Sequence, residues 1–515
     1  MASKPSKSSP TKSSPSSISV SISASPGVNA LGKAFQKGPP LRARTFLSIV
    51  TIFALAAFGA SLRLTAQTLN PPPYTPQVWD IDWSYLAQAA ASQPPASRIS
   101  ERDWTDRFHY ISLGNNRFLS ITGQVRERGE YQDYPAFGAQ PPNNGYFMQR
   151  YLCSADLHLT AHFRIFIQLD SGLIEFRDGG PRPGIDEDKL DFNQGFLDFT
   201  AFQSLDRSLT VRAGRQLISL GSTRLIATGA GLNVEQPFDG FRLMMHAGQW
   251  SADGLAVRPT EIKTGIFDNE PNSAEELWGL YLSRPLPPLH TNVDLYYLGY
   301  DHKSVRYTQG TGPEQRETVG ARVWSHTPAW DYDFEYTAQF GRFNTGNIRA
   351  WGTGYHLGYT FNRARFAPHP ELDGGVLSGD HNAHDNTLGT FNPLFPNGNF
   401  LSQSILLGPL NLIIVRPTFK TTLTRKATTN TNVELLWRQA TEDGVYNIAG
   451  ILTHAPANST ARFIGAQIQQ EIDYAFTRHL SGSLAYEHFF AGEFLKQSPP
   501  GHSLNFISPQ LTYNF

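Results

Sequence analysis

Residues 156–170 read DLHLTAHFRIFIQLD. Leu157, Leu159, Ala161, Phe163, Ile165, Ile167 and Leu169 fall on one face of an extended chain. Asp156, His158, Thr160, His162, Arg164, Gln168 and Asp170 fall on the other, with Phe166 as the exception. Successive strand side chains point to opposite faces, so one face here is apolar and one is charged. Read as one strand, the run far exceeds the ~5–6 residues usual in soluble proteins. A long strand of this pattern suits a transmembrane β-barrel, with lipid on one side and a wet lumen on the other.

Working outward, the same alternation recurs. Phe463 to Phe476 sets Ile464, Ala466, Ile468, Ile472, Tyr474 and Phe476 against Gln467, Gln469, Glu471 and Asp473. Asn432 to Gln439 sets Val433, Leu435 and Trp437 against Glu434 and Arg438, and Tyr332 to Phe340 sets its aromatics against Asp333, Glu335 and Gln339. Gly, Pro, Asn and Asp clusters separate these runs, as in an all-β chain. The chain ends Leu511-Thr512-Tyr513-Asn514-Phe515, alternating to a terminal aromatic. From Phe118 to Phe515 there are 398 residues. At roughly 22 residues per strand and loop, with even strand numbers, 18 strands are expected and 16 also fit. A barrel that wide leaves an aqueous channel.

Composition agrees. Charged residues are 17% and aromatics 12% of the chain, and the net charge is -1. Few charges and many aromatics suit a lipid-facing wall with aromatic girdles. A neutral balance excludes the basic stripe of a nucleic-acid binder. The single cysteine, Cys153, cannot form an intramolecular disulfide. Residues 1–66 read as a Ser/Pro-rich n-region followed by a signal peptide: Arg42 and Arg44 precede the apolar run Thr45 to Leu62, with cleavage expected after Ala66. A single membrane anchor is the alternative for that run. Residues 67–112 read as a periplasmic segment with a short helix around Tyr85 to Ala91, too short for a plug domain, and 113–515 as the barrel.

Several motifs resemble the alginate-export family of outer-membrane proteins. Phe118 to Tyr131 (FLSITGQVRERGEY) is similar to that family's first strand. Gly214-Arg215-Gln216, then Arg224, then Phe238-Asp239-Gly240, are similar to its central motif, from which Asn233-Val234-Glu235 depart. Gly379-Asp380, Asp385 and Thr390 to Pro396 (TFNPLFP) are the most specific match, followed by Gly408 to Leu412, Asp443 to Tyr446 and Ala491 to Leu495. The resemblance implies an 18-stranded barrel passing an anionic polysaccharide, such as a uronate polymer, through an arginine-rich lumen. Outer-membrane lipid, an anionic or neutral saccharide and periplasmic export partners are its implied partners.

A pore for a carboxylate-bearing polymer needs fixed positive charge, which arginine supplies because it stays charged and grips carboxylates bidentately. Strand parity nominates Arg126, Arg128, Arg164, Arg212, Arg242 and Arg438 as lumenal, with Arg150 a weaker candidate. Glu130, Asp156 and Asp170 are their expected acidic partners. Arg215 breaks parity with Arg212, and Gly214 suggests a bulge there. The alternative is that these arginines only brace the wall. Asp380 to Asp385 (DHNAHD) contains metal-ligand residue types, but a polar loop has the same composition, and no metal or cofactor is expected. No nucleophile elbow, phosphate loop or His-Glu-x-x-His motif is present. An anion-selective channel is therefore the first reading, a general or sugar-selective porin the second and an outer-membrane hydrolase the third.

Overall fold

The computed structural model describes residues 77–81, 83, 84, 86, 87, 103–398 and 401–515. The leader expected over residues 1–66 lies outside these. Of the helix expected around Tyr85 to Ala91 only Leu86 and Ala87 are described, both helical.

One large sheet contains 21 strands. Three are short pieces, Ile111–Gly114, Glu270–Pro271 and Thr387–Leu388, and the other 18 make a closed antiparallel wall. The first six are β1 (Arg117–Gln132), β2 (Asn144–His158), β3 (Phe163–Glu175), β4 (Asp188–Gln203), β5 (Arg207–Gln216) and β6 (Phe238–Ala247). The next six are β7 (Trp250–Glu261), β8 (Glu275–Leu286), β9 (Thr291–Tyr307), β10 (Gly310–His326), β11 (Trp330–Phe343) and β12 (Gly346–Tyr359). The last six are β13 (His369–Leu377), β14 (Leu412–Thr424), β15 (Ala427–Arg438), β16 (Phe463–Ala475), β17 (Leu480–Ala491) and β18 (Leu504–Asn514).

Each strand pairs with its sequence neighbour, and β18 pairs with β1 from Gln124↔Asn514 to Gln132↔Phe506. Closure leaves no open edge whose amides would face lipid unpaired. Phe515 completes the seam. It exchanges two backbone hydrogen bonds with Gly123, at 2.8 and 2.9 Å, and its ring covers the glycine. A Cβ on Gly123 would stand 2.4 Å from the ring Cζ, so only glycine fits.

The decisive sequence 156–170 is a hairpin rather than one strand. Asp156 belongs to β2 and Phe163 begins β3, with residues 159–162 turning between them. Thr160 Oγ1 accepts the amides of His162 (3.1 Å) and Phe163 (3.0 Å), a local side-chain turn. The four-residue turn preserves parity, so both arms keep the same apolar face. Phe166 breaks the alternation because it faces inward, buried against Phe196 at 5.1 Å.

Outward side chains include Phe199, Phe241, Phe334, Tyr336, Val433 and Ile468, all exposed. One end of the barrel carries short turns, such as 204–206, 248–249 and 425–426, beside both ends of the wall. The other carries long connections, including 217–237, 378–411 and 439–462. Two of these fold back into the lumen. There the expected wet interior gives way to a packed core, with Ile218, Leu225 and Ile226 of the first loop and Leu401 and Leu407 of the second buried in the same cluster as lumenal Leu255, Val257, Leu277 and Leu298. Each fully buried aliphatic side chain contributes about 1.5–3 kcal/mol, which offsets the cost of ordering loops this long.

Candidate functional site

Loop 217–237 crosses the lumen and is tied at both sides. Ser222 Oγ donates to Glu335 of β11 at 2.6 Å, and Arg224 Nη1 donates to Asp333 and Glu335 at 2.8 Å each. Mid-loop, Ala227 N–H donates to Phe395 O (2.9 Å), and Phe395 N–H donates to Leu225 O (2.8 Å), which joins the two inward loops. The far tip, Ala230 to Leu232, then meets β1 and β2.

Three arginines hold that tip by its backbone carbonyls. Arg126 Nη1 donates to Ala230 O at 3.0 Å, and its Nη2 donates to Leu232 O. Arg128 Nη1 donates to Gly231 O at 2.9 Å, and Arg150 Nη1 to Ala230 O at 3.1 Å. Arg126 faces Arg150 directly across the β1–β2 ladder, so guanidinium groups are crowded here. Their neutralisation is uneven. Arg128 pairs with Glu130 at 2.7 Å, and Arg150 with Glu235 at 3.7 Å. Among the described residues no carboxylate forms an ion pair with Arg126, and its Nε is buried without a hydrogen-bond partner.

Beneath the tip lies a cavity of about 260 Å³. The three arginines, Ala230, Gly231 and Gln403 close it on the loop side, Glu471 is its acidic residue, and serine, threonine, asparagine and glutamine from β1, β17 and β18 line the rest. A second cavity of about 480 Å³ opens towards the turn end between β2 and β7, among Arg164, Arg242, Asp198 and Asp253. Between the polar cavities and the packed loops, this interior holds a local cluster of guanidinium groups.

The alginate-export family model matches residues 117–507. This chain belongs to the alginate-export family. No curated protein sequence matches it. Solved structures share its fold. Acinetobacter baumannii OccAB3 is 11% identical with TM-score 0.53, over 77% of this chain and 99% of that one. Pseudomonas aeruginosa OccK9 (OpdG) is 12% identical with TM-score 0.53, over 77% and 98%. P. aeruginosa OccK2 (OpdF), solved in complex with glucuronate, is 10% identical with TM-score 0.51, over 77% and 98%. This alginate-export family member is thus an outer-membrane channel in the bacterial cell envelope, with its short turns in the periplasm and its long loops outside.

The remaining nominated residues divide by what they touch. Arg164 donates to Asp156 (2.7 Å) and reaches Asp198 at 3.3 Å. Arg212 grips Asp198 bidentately at 2.7 and 2.9 Å, and Arg242 donates to Asp253 at 2.6 Å. These three sit on the lumenal wall with their charge matched. Arg438 is lumenal by parity but fully buried at the loop end. It donates to the carbonyls of Thr441 (2.8 Å), Asp443 (3.1 Å), Ser459 (2.7 Å) and Ala461, and stacks on Phe494. It braces loop 439–462 and is closed to a solute. Asp170 faces inward but makes no ion pair among the described residues, so it is not a paired acid, and its Oδ1 is a buried orphan.

The motif residues are mostly architectural. Arg215 lies on the outward side at the loop end, on Asp239 (2.9 Å) and Asp191 (3.4 Å). The bulge expected at Gly214 is absent: it pairs with Phe196 and Gly240 in unbroken register. Gly214 has φ +129°, and a Cβ there would meet Gly195 O at 2.2 Å, so close strand approach rather than a bulge requires glycine. Gln216 and Phe238 are fully buried at the root of loop 217–237. In loop 378–411, the Gly379 amide donates to Gln439 (2.9 Å), Asp380 N–H donates to Asp443 (3.0 Å), and Asp385 accepts from Thr387 N–H (2.7 Å). The first two contacts pin loops 378–411 and 439–462 together, and the third is a local turn.

Sequence reasoning missed the periplasmic side. The segment before β1, judged too short for a plug, enters the lumen all the same. Trp79 is buried with Phe166, Phe196 and Leu217, and Arg164 Nη2 donates to Trp79 O at 2.6 Å. Nearer the rim, Trp83 stacks on His109 at 3.8 Å, and Asp103 meets His479 at 2.6 Å. The inward Phe166 was the signal for this contact: an apolar ring on a charged lumenal face needs an apolar partner.

Proposed function

We propose that this channel passes an anionic saccharide, a uronate or a short uronate polymer. The observation that carries the proposal is Arg126, whose charge is offset by carbonyl oxygens rather than by an acid, above a cavity walled with sugar-compatible hydroxyl and amide groups. The glucuronate bound to the similarly folded OccK2 supports the same substrate class.

The chemistry is competition. A carboxylate brings a full opposite charge and can accept two parallel N–H bonds from one guanidinium, which a neutral carbonyl does not. A uronate arriving beneath Arg126, Arg128 and Arg150 therefore competes with Ala230, Gly231 and Leu232 for the same donors. Binding loosens the loop tip at the point where it blocks the lumen, and several weak sites let the solute move on. The hydroxyl and amide lining also favours a second reading, a sugar-selective porin that is indifferent to charge.

Single-channel recording of the refolded protein under a salt gradient tests both readings. The expected result is anion selectivity, current modulation by glucuronate and uronate oligomers but not by glucose, and a shift towards cations in Arg126→Gln. Equal responses to glucose and glucuronate, with no anion preference, would establish the sugar porin instead.

A further inference from the structure

The structure assigns a divalent transition-metal site, suited to Zn²⁺, to the lumenal wall of β11–β13. Its ligands are Asp331, His356, His369 and Glu371. They come from strand ends near the periplasmic turns, on the inward parity of each strand, and belong to neither cavity described above.

The four side chains converge. His356 Nε2 lies 2.5 Å from Asp331 Oδ2, and His369 Nε2 lies 2.8 Å from Glu371 Oε1 and 3.6 Å from Asp331 Oδ1. One ligand atom from each of Asp331, His356 and Glu371 falls within 4.8 Å of the others. Zn²⁺ binds imidazole nitrogen and carboxylate oxygen at about 2.0–2.2 Å in tetrahedral sites. Asp331, His356 and Glu371 would supply three ligands, and His369, 2.8 Å from Glu371, the fourth. Two neutral imidazoles and two carboxylates also match the charge of a dication.

Two further observations point to a ligand rather than to a plain ion-pair network. First, both imidazoles are held from behind. His356 Nδ1 is 2.7 Å from Asp373 Oδ1, and His369 Nδ1 is 2.7 Å from Thr360 Oγ1. A metal-bound histidine is held in this way, since an acceptor on one nitrogen fixes the tautomer that presents the other. Second, the wall carries no Cβ at the point where these side chains pack against it. Gly358 sits beside the group, and a Cβ there would stand 2.6 Å from His369 Nε2 and 2.8 Å from Asp331 Oδ2. Lys420 Nζ supplies a cation to Glu371 at 2.7 Å, and its side chain is half exposed.

The test uses the full barrel refolded in micelles, with folding checked by heat-modifiable gel mobility, and ZnCl₂ as the probe. Titration calorimetry and metal content after gel filtration should give one Zn²⁺ per chain. X-ray absorption should show mixed nitrogen and oxygen ligation near 2.0 Å. Asp373→Asn should weaken binding about 10–100-fold while leaving the four ligands in place. His356→Asn with His369→Asn should abolish it, and Gly358→Ala, whose methyl would displace His369 and Asp331 without removing a ligand, should do the same. Absence of stoichiometric binding by the wild-type barrel would overturn the proposal, as would full Zn²⁺ retention in the double histidine variant or in Gly358→Ala.

Discussion

The outer and periplasmic halves of this lumen are built on opposite rules. Outside, loops 217–237 and 378–411 fill the barrel with aliphatic and aromatic side chains, and Arg438 spends its donors on the carbonyls of loop 439–462. On the periplasmic side the wall is polar, two cavities remain, and Arg126 has only carbonyl partners among the described residues. The same residue type therefore serves two ends. A guanidinium sealed among carbonyls braces a fold, while one that borders a cavity is, under the proposed function, the one that meets a solute.

Changes in the packed half should alter stability and leave selectivity alone, and changes in the polar half should alter selectivity. Arg438→Ala strands several buried carbonyls at about 1–3 kcal/mol each, so the urea midpoint should fall by at least about 3 kcal/mol equivalent with the reversal potential unmoved. Trp79→Ala should weaken the seating of the N-terminal segment by about 3 kcal/mol. Bilayer recordings should then show a larger or more frequently open conductance while the barrel's unfolding midpoint holds. Arg126→Gln should cost about 1.5–3 kcal/mol in seating the loop tip and should move selectivity towards cations. A midpoint shift without a selectivity shift would place Arg126 with Arg438 and collapse the distinction.

The smallest effect belongs to Asp380. Burial pushes its carboxyl up to about 6, and the nearby Asp443 and Asp385 charges add to this. The folded pKa is raised, so the folded state takes up a proton that the unfolded chain does not. Stability should therefore rise by about 1 kcal/mol as pH falls from 7 to 5. Asp380→Asn should flatten that dependence in denaturant titrations.

The wall was legible because strand parity has a period of two and needs no distant information. It gave the inward placement of Arg126, Arg128, Arg164, Arg212 and Arg242 even where a hairpin was read as a single strand, since the turn at Thr160 keeps parity. Length narrowed the strand number to 16 or 18, and the structure has 18. What fills the lumen was not legible. Arg126 bonds carbonyls about a hundred residues away, and a carbonyl has no sequence signature. Arg128 and Glu130, two residues apart on one face, were readable as a pair for the opposite reason. Asp331, His356, His369 and Glu371 lie on three strands, and only the ladder registers bring them together.

The seam at Gly123 and Phe515 sets a clock on assembly. The bond between the Gln124 and Asn514 side chains spans 390 residues, so the contact that ends the search is among the most distant along the chain. Non-local pairing must be preceded by its loop-closure entropy, which makes such topologies slow. Until the Phe515 ring settles over Gly123, the two strand edges that meet at this seam stay unpaired.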